Sequence, residues 1–92
     1  MSLKANSVLR RAADVRFRAV ADETVVIRQE AAEALVLNEV AGRLLELIDG
    51  ERSVADLLEQ LQTEYDVTPE QLEVDVQSYL EELVDTGVLS RD

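Results

Sequence analysis

The chain predicts an α+β domain: a small three-stranded antiparallel sheet followed by a three-helix bundle, winged helix-turn-helix-like in outline. Three observations carry this. Between residues 15 and 37 lie three short stretches rich in β-branched residues or alternating in polarity. From Asn38 onward, apolar residues recur at three- and four-residue spacing behind three good helix caps. Strands come first and helices after, with no repeat, low-complexity tract or linker between them. At 92 residues the chain fits one small domain.

Residues 1–13 read as a flexible lead-in with a basic spot at Arg10 and Arg11, and 14–92 as a single domain. Val15–Val20 alternates with period two, placing Val15, Phe17 and Ala19 on one face of a half-buried strand. Residues 21–23 supply a turn, and β-branched 24–28 hairpins back as a second strand. A link over 29–33 leads to a third strand at 34–37.

Asn38 is a good N-cap because its side chain can accept from a free amide of the first turn. The first helix runs from Glu39 to about Ile48, with Val40, Ala41, Leu44, Leu45 and Ile48 as its apolar stripe. Asp49 and Gly50 end it, Gly50 being suited to positive φ. Ser53 and Asp56 stand at capping-box spacing and open the second helix, whose stripe is Val54, Leu57, Leu58, Leu61 and Tyr65. Thr68, Pro69 and Gln71 open the third, with Thr68 as cap and Gln71 reaching back to it. That helix continues to about Thr86, with Leu72, Val76, Tyr79, Leu80 and Leu83 facing inward, until Gly87 stops it. Val88 and Leu89 fold back onto the core as an extended tail.

Composition narrows the function. There is no cysteine and no histidine, which removes disulfides, thiolate chemistry, the commonest general base and the commonest metal ligand. No metal-ligand spacing or phosphate-cradling glycine loop occurs, so no cofactor or metal is expected. Glu70, Glu73, Glu81 and Asp85 read as a solvated helix surface rather than as catalytic acids. An enzyme would have only carboxylates, Tyr65, Tyr79 and arginines to work with, so a non-catalytic role is expected. With no signal-peptide-like start and no long apolar run, a cytoplasmic protein with no membrane partner is expected.

The net charge of −11 is unevenly spread. Residues 1–52 hold eight basic and nine acidic side chains, residues 53–92 one and eleven. If the third helix entered a DNA groove, its first half would present three acids and no cation, so no nucleic-acid partner is expected. The same half of the chain attracts a basic peptide or protein surface.

The third strand offers a second clue. It is short and follows a linker, which suits a sheet edge whose free N–H and C=O groups can pair with an incoming strand. The plainer reading makes 34–37 simply core. An exposed edge on a small domain also allows a homodimer.

The order of Leu37-Asn38, Ala41, Leu44-Leu45, Asp49-Gly50, Ser53-Val54, Leu57, Tyr65-Asp66-Val67, Asp75-Val76, Leu80, Leu83, Gly87 and Leu89 resembles the PqqD family from about Val15 to Leu89. The resemblance implies a three-stranded sheet packed on three helices and a peptide chaperone, the RiPP recognition element, that binds the leader of a ribosomally made precursor peptide by strand addition. It implies delivery to a modifying enzyme, a radical S-adenosylmethionine (SAM) enzyme in pyrroloquinoline quinone biosynthesis. Carried onto this chain, the augmented edge is Ala34, Leu35, Val36 and Leu37. The helix wall is Asp75, Val76, Tyr79, Leu80, Glu82 and Leu83. Asp75, Tyr79 and Glu82 share one stripe, read either as groove-flanking contacts or as boundary packing with solvated charge. A rival class is a winged-helix-like regulator that works through protein contacts and does not bind DNA.

Overall fold

The computed structural model describes residues 3–91. Eight elements follow one another: β1 (Leu9–Arg11), β2 (Val15–Val20), β3 (Glu23–Arg28), β4 (Glu33–Leu37), α1 (Glu39–Leu47), α2 (Val54–Glu64), α3 (Pro69–Asp85) and β5 (Leu89–Arg91). β2, β3 and β4 form an antiparallel sheet in that order, and β1 pairs with β5 in a separate two-stranded ribbon. The α+β class, the three-stranded sheet and the three helices agree with expectation, with element ends shifted by a residue at most.

The two-residue turn between β2 and β3 has Ala21 at φ 57°. Hairpin turns of this length need positive φ to match strand twist, and alanine adopts it at a cost that glycine would avoid. Beyond the other end of the hairpin, Asp14 receives the backbone N–H of Gln29 on its carbonyl at 3.2 Å and that of Glu30 on its carboxylate at 3.2 Å.

Caps set the helix starts. The Asn38 side chain accepts from Ala41 N–H at 2.9 Å. Ser53 and Asp56 form a full capping box, with bonds of 3.0 and 3.2 Å. Thr68 Oγ1 accepts from Gln71 N–H at 3.3 Å, with Pro69 at the first helical position. The Gln71 side chain does not return to the cap as expected. Its amide donates to Asp75 Oδ1 at 2.9 Å, one turn along the helix, where a charged acceptor outcompetes the neutral cap. Gly50 and Gly87 lie at φ 82° and 83°, as stop signals require. Gly42, inside α1, has another purpose: a Cβ there would collide with the buried Thr24 side chain, so its absence lets α1 settle onto β3.

α1 and α2 are clamped outside the core. Arg43 donates twice to the Glu64 carboxylate, at 2.7 and 2.9 Å, and Gln60 adds a third bond at 2.8 Å. These donors hold the Glu64 carboxyl down to about 2.

The core joins Val26 of the sheet to Leu44, Leu45, Leu57, Leu61 and Leu80 of the helices. The flexible lead-in expected over 1–13 is corrected by the packing of 3–12, Met1 and Ser2 lying outside the described residues. Leu9 is buried, and Ala12 N–H donates to Val88 carbonyl at 2.9 Å. The carbonyls of Ser7 and Ala5 accept from Val54 and Ala55 N–H, both at 2.9 Å. These are amides of the first turn of α2, which no intrahelical carbonyl can satisfy. Leu3 exchanges two 2.9 Å bonds with the Gln77 side chain. The partners of this segment lie far along the chain, so its own pattern does not reveal them.

Candidate peptide-binding edge

β4 is an edge strand, since the sheet order leaves it paired to β3 alone. The direction of its free groups follows from the pairing pattern. Gln29 N–H bonds Asp14 carbonyl across the β2–β3 ladder. Bonded and non-bonded pairs alternate in an antiparallel ladder. Residues 16 and 27 are therefore the next bonded pair, and Thr24, Val26 and Arg28 turn their backbone groups toward β4. Their partners there are Leu37, Leu35 and Glu33. The backbone N–H and C=O groups of Ala34 and Val36 consequently point to the open edge.

Side chains alternate in the orthogonal sense. Leu35 and Leu37 lie on the inner face with Val26 and pack partly against the core. Ala34 and Val36 are exposed on the outer face. The strand expected at 34–37 therefore has both characters, core on one face and open edge at its side.

Two ties hold the C-terminal half of α3 alongside β4. Directly after β4, Asn38 Nδ2 donates to Tyr79 Oη at 3.0 Å. Near the start of β4, Arg28, whose strand partner is Glu33, donates from Nη1 to the Thr86 carbonyl at 3.0 Å. That bond satisfies one of the last carbonyls of α3. A Cβ on Gly87 would meet the same Nη1 at 2.6 Å, so the glycine also makes room for the guanidinium. Arg28 is further held 3.6 Å from the Asp14 carboxylate. The seven-residue step between the helix ties at Tyr79 and Thr86 spans roughly 10 Å, less than the roughly 16 Å length of β4.

The wall residues separate into two groups. Val76 and Leu80 are 0% exposed and Leu83 is 1%, so these three belong to the core and offer a peptide no surface in this conformation. Their expected place in the wall is corrected: four- and three-residue spacing is also that of the stripe that seats α3 on α1 and α2. Asp75 and Tyr79 are half-buried and Glu82 is exposed. Tyr79 stands at the end of β4, Glu82 between the two ties, and Asp75 one turn beyond them. Where β4 passes into α1, a depression of about 640 Å³ is lined by Val36, Leu37, Asn38 and Val40 together with three acids, Asp22, Glu23 and Glu39.

Sequence reasoning assigned Asn38 only a cap and missed Arg28. No local pattern connects Asn38 to Tyr79 or Arg28 to Thr86. Among the described residues no group of three or more His, Cys, Asp or Glu is arranged to hold a metal ion.

The pattern of the family described as "Coenzyme PQQ synthesis protein D (PqqD)" matches residues 23–89, most of the chain. This chain belongs to the PqqD family. The matched span begins at the first residue of β3 and ends at the first residue of β5, so it contains the edge strand and all three helices. Similar proteins include a "PqqA binding protein" of Rhodopseudomonas palustris (strain BisB5), 33% identical over 82 residues, covering 89% of this chain and 78% of that protein. Another "PqqA binding protein", of Bradyrhizobium diazoefficiens, is 34% identical over 83 residues, covering 90% and 79%. The fold is also that of "TbiB1 in Complex with the TbiA(beta) Leader Peptide", with TM-score 0.78 at 20% identity over 88% of this chain and 94% of that one. "Lasso peptide synthetase B1 complexed with the leader peptide" gives 0.76 at 21% identity, over 89% and 96%.

Proposed function

We propose that this PqqD-family chain is a non-catalytic peptide chaperone. It binds the leader of a ribosomally made precursor peptide as an added strand and presents it to a modifying enzyme. The observation that carries this reading is β4, an edge strand whose Ala34 and Val36 backbone groups face outward, with α3 tied near its two ends through Asn38–Tyr79 and Arg28–Thr86. An incoming strand paired there sends alternate side chains between Leu35, Leu37 and α3, and the others outward beside Val36. The backbone supplies affinity and the α3 side supplies selectivity, with Glu82 and Asp75 favouring basic leader residues.

Relatives named for PqqA binding, and fold neighbours solved with leader peptides, support the same reading. The reading extends to pyrroloquinoline quinone biosynthesis, with a radical SAM enzyme as recipient, and to the cytoplasm as the place of action. No helix among the described residues is long and apolar enough to cross a membrane. The winged-helix likeness is architectural in this reading: the acidic start of α3 suits a protein or peptide, not DNA.

The test is an NMR titration of labelled protein with the leader of the precursor encoded beside this chain. Amide shifts clustered at 34–37 and along 75–83 are expected. No shifts, with and without the modifying enzyme, would turn the assignment to a regulator acting through protein contacts.

A further inference from the structure

The sheet has a second face that the peptide groove does not use. Register places Arg16, Arg18, Val20, Val25, Ile27 and Val36 on this outer side. Val20 is 53% exposed, Ile27 45% and Val36 62%, and the remaining exposed large hydrophobic among the described residues, Val74, stands apart on α3. Val25 is paired with both Arg18 and Val36, and Ile27 with Arg16, so apolar and basic side chains adjoin across the strands. A shallow depression of about 290 Å³ lies among Val20, Val25 and Ile27, between the two arginines. A contiguous exposed apolar patch with a charged rim is the usual mark of a protein interface.

The charge on the β2 side of this face is opposite to that of the chain. Against a net −11, Arg16 and Arg18 stand there, while the acids Asp22, Glu23 and Glu39 line the depression at the Val36 end. Arg18 has no ion pair or side-chain hydrogen bond among the described residues. Two copies stacked through the β2 side would set arginines against arginines, since the cross-strand neighbours of Arg16 and Arg18 there are Ile27 and Val25. The fitting occupant is a different protein whose surface is apolar at its centre and carries carboxylates at its rim.

The geometry points to the outer sheet face as the docking surface for the modifying enzyme, completed by the outward side chains of the bound leader. This rests on strand addition at β4. A strand added there places every second side chain in the plane of Val36, Val25 and Arg18, extending the patch by one strand. The enzyme then meets a larger surface when the peptide is loaded than when it is absent, so docking is coupled to cargo.

The test measures two affinities by calorimetry for the full chain: for the synthetic leader, and for the purified modifying enzyme encoded with it, the latter with and without leader. The variants are Ile27→Thr combined with Arg18→Glu, and Arg18→Glu alone, which alters no packed side chain. Far-UV circular dichroism checks that each is folded. The expected result is leader affinity within about twofold of wild type, enzyme affinity lowered about tenfold or more, and wild-type enzyme affinity raised by the leader. Unchanged enzyme affinity in the folded variants would overturn the docking face even with leader binding intact. A wild-type dimer that the variants dissociate would overturn it too, giving the face to a second copy. A leader that fails to bind wild type, while enzyme docking is still lost in the variants, would refute the peptide reading and the coupling but leave the docking face standing.

Discussion

The side chain of Asn38 joins the start of α1 to the middle of α3: its Oδ1 accepts from Ala41 N–H at 2.9 Å while its Nδ2 donates to Tyr79 Oη at 3.0 Å. One amide thus caps a helix and positions the tyrosine at the end of the peptide edge. The two functions separate by substitution. Asn38→Ser keeps a capping oxygen but is too short to reach Tyr79, as Tyr79→Ala loses the ring. Both are expected to weaken leader binding while stability to denaturant stays near wild type for Asn38→Ser. Asn38→Ala is expected to lose about 1 kcal/mol of stability as well. Urea melts beside peptide titrations check this, and an Asn38→Ser protein that binds normally would remove Tyr79 positioning from the site.

The direction of the backbone groups on β4 makes neighbouring prolines behave differently. Val36→Pro removes an N–H aimed at the open edge, a position where edge strands accept proline. Leu35→Pro removes one aimed at β3. The first protein is expected to fold and lose leader binding, the second to be severely destabilised. Circular dichroism and a binding assay on the pair decide it, and undiminished leader affinity in folded Val36→Pro would exclude this geometry.

Close approach of α1 to β3 depends on the missing Cβ of Gly42. Alanine is the better helix former by about 1 kcal/mol, yet overpacking against Thr24 is expected to outweigh that and destabilise by about 1–2 kcal/mol. At Ala21 the sign reverses: Ala21→Gly relieves the positive φ and is expected to stabilise by up to about 1 kcal/mol. Thermal melts of the two variants should move in opposite directions.

The Glu64 carboxyl is held down to about 2 in the folded state by Arg43 and Gln60, below its ordinary 4.5. A depressed folded value means the clamp stabilises the fold fully above about 4.5 and loses that contribution as pH falls toward 2. Solvent screens this surface pair, so about 1 kcal/mol is expected at pH 7 rather than the full worth of the shift. The stability difference between wild type and Glu64→Gln should therefore shrink between pH 5 and about 2, as read by denaturant midpoints at each pH.

The acids of α2 and α3 give a final expectation. If they draw in a basic leader, leader affinity falls with rising salt, chiefly between low and physiological ionic strength. A flat dependence would limit those acids to keeping the protein soluble.

Much of this structure is legible in the sequence because it is locally encoded. Period-two alternation marked Val15–Val20. Asn38, Ser53 and Thr68 marked three helix starts through groups only a few residues away. Gly50 and Gly87 marked two stops. The absence of histidine and cysteine and the acidity of α3 narrowed the function before any fold was known. The rest depends on residues distant in sequence. β1 takes its identity from pairing with β5, and the same i, i+4, i+7 spacing describes buried Val76, Leu80 and Leu83 as well as Asp75, Tyr79 and Glu82. Only tertiary packing decided which of those two stripes on α3 is core, which backbone groups of β4 face the open edge, and where Asn38 and Arg28 tie α3 beside it. Periodicity specifies that residues share a face, whereas what that face meets depends on long-range contacts that no local pattern records.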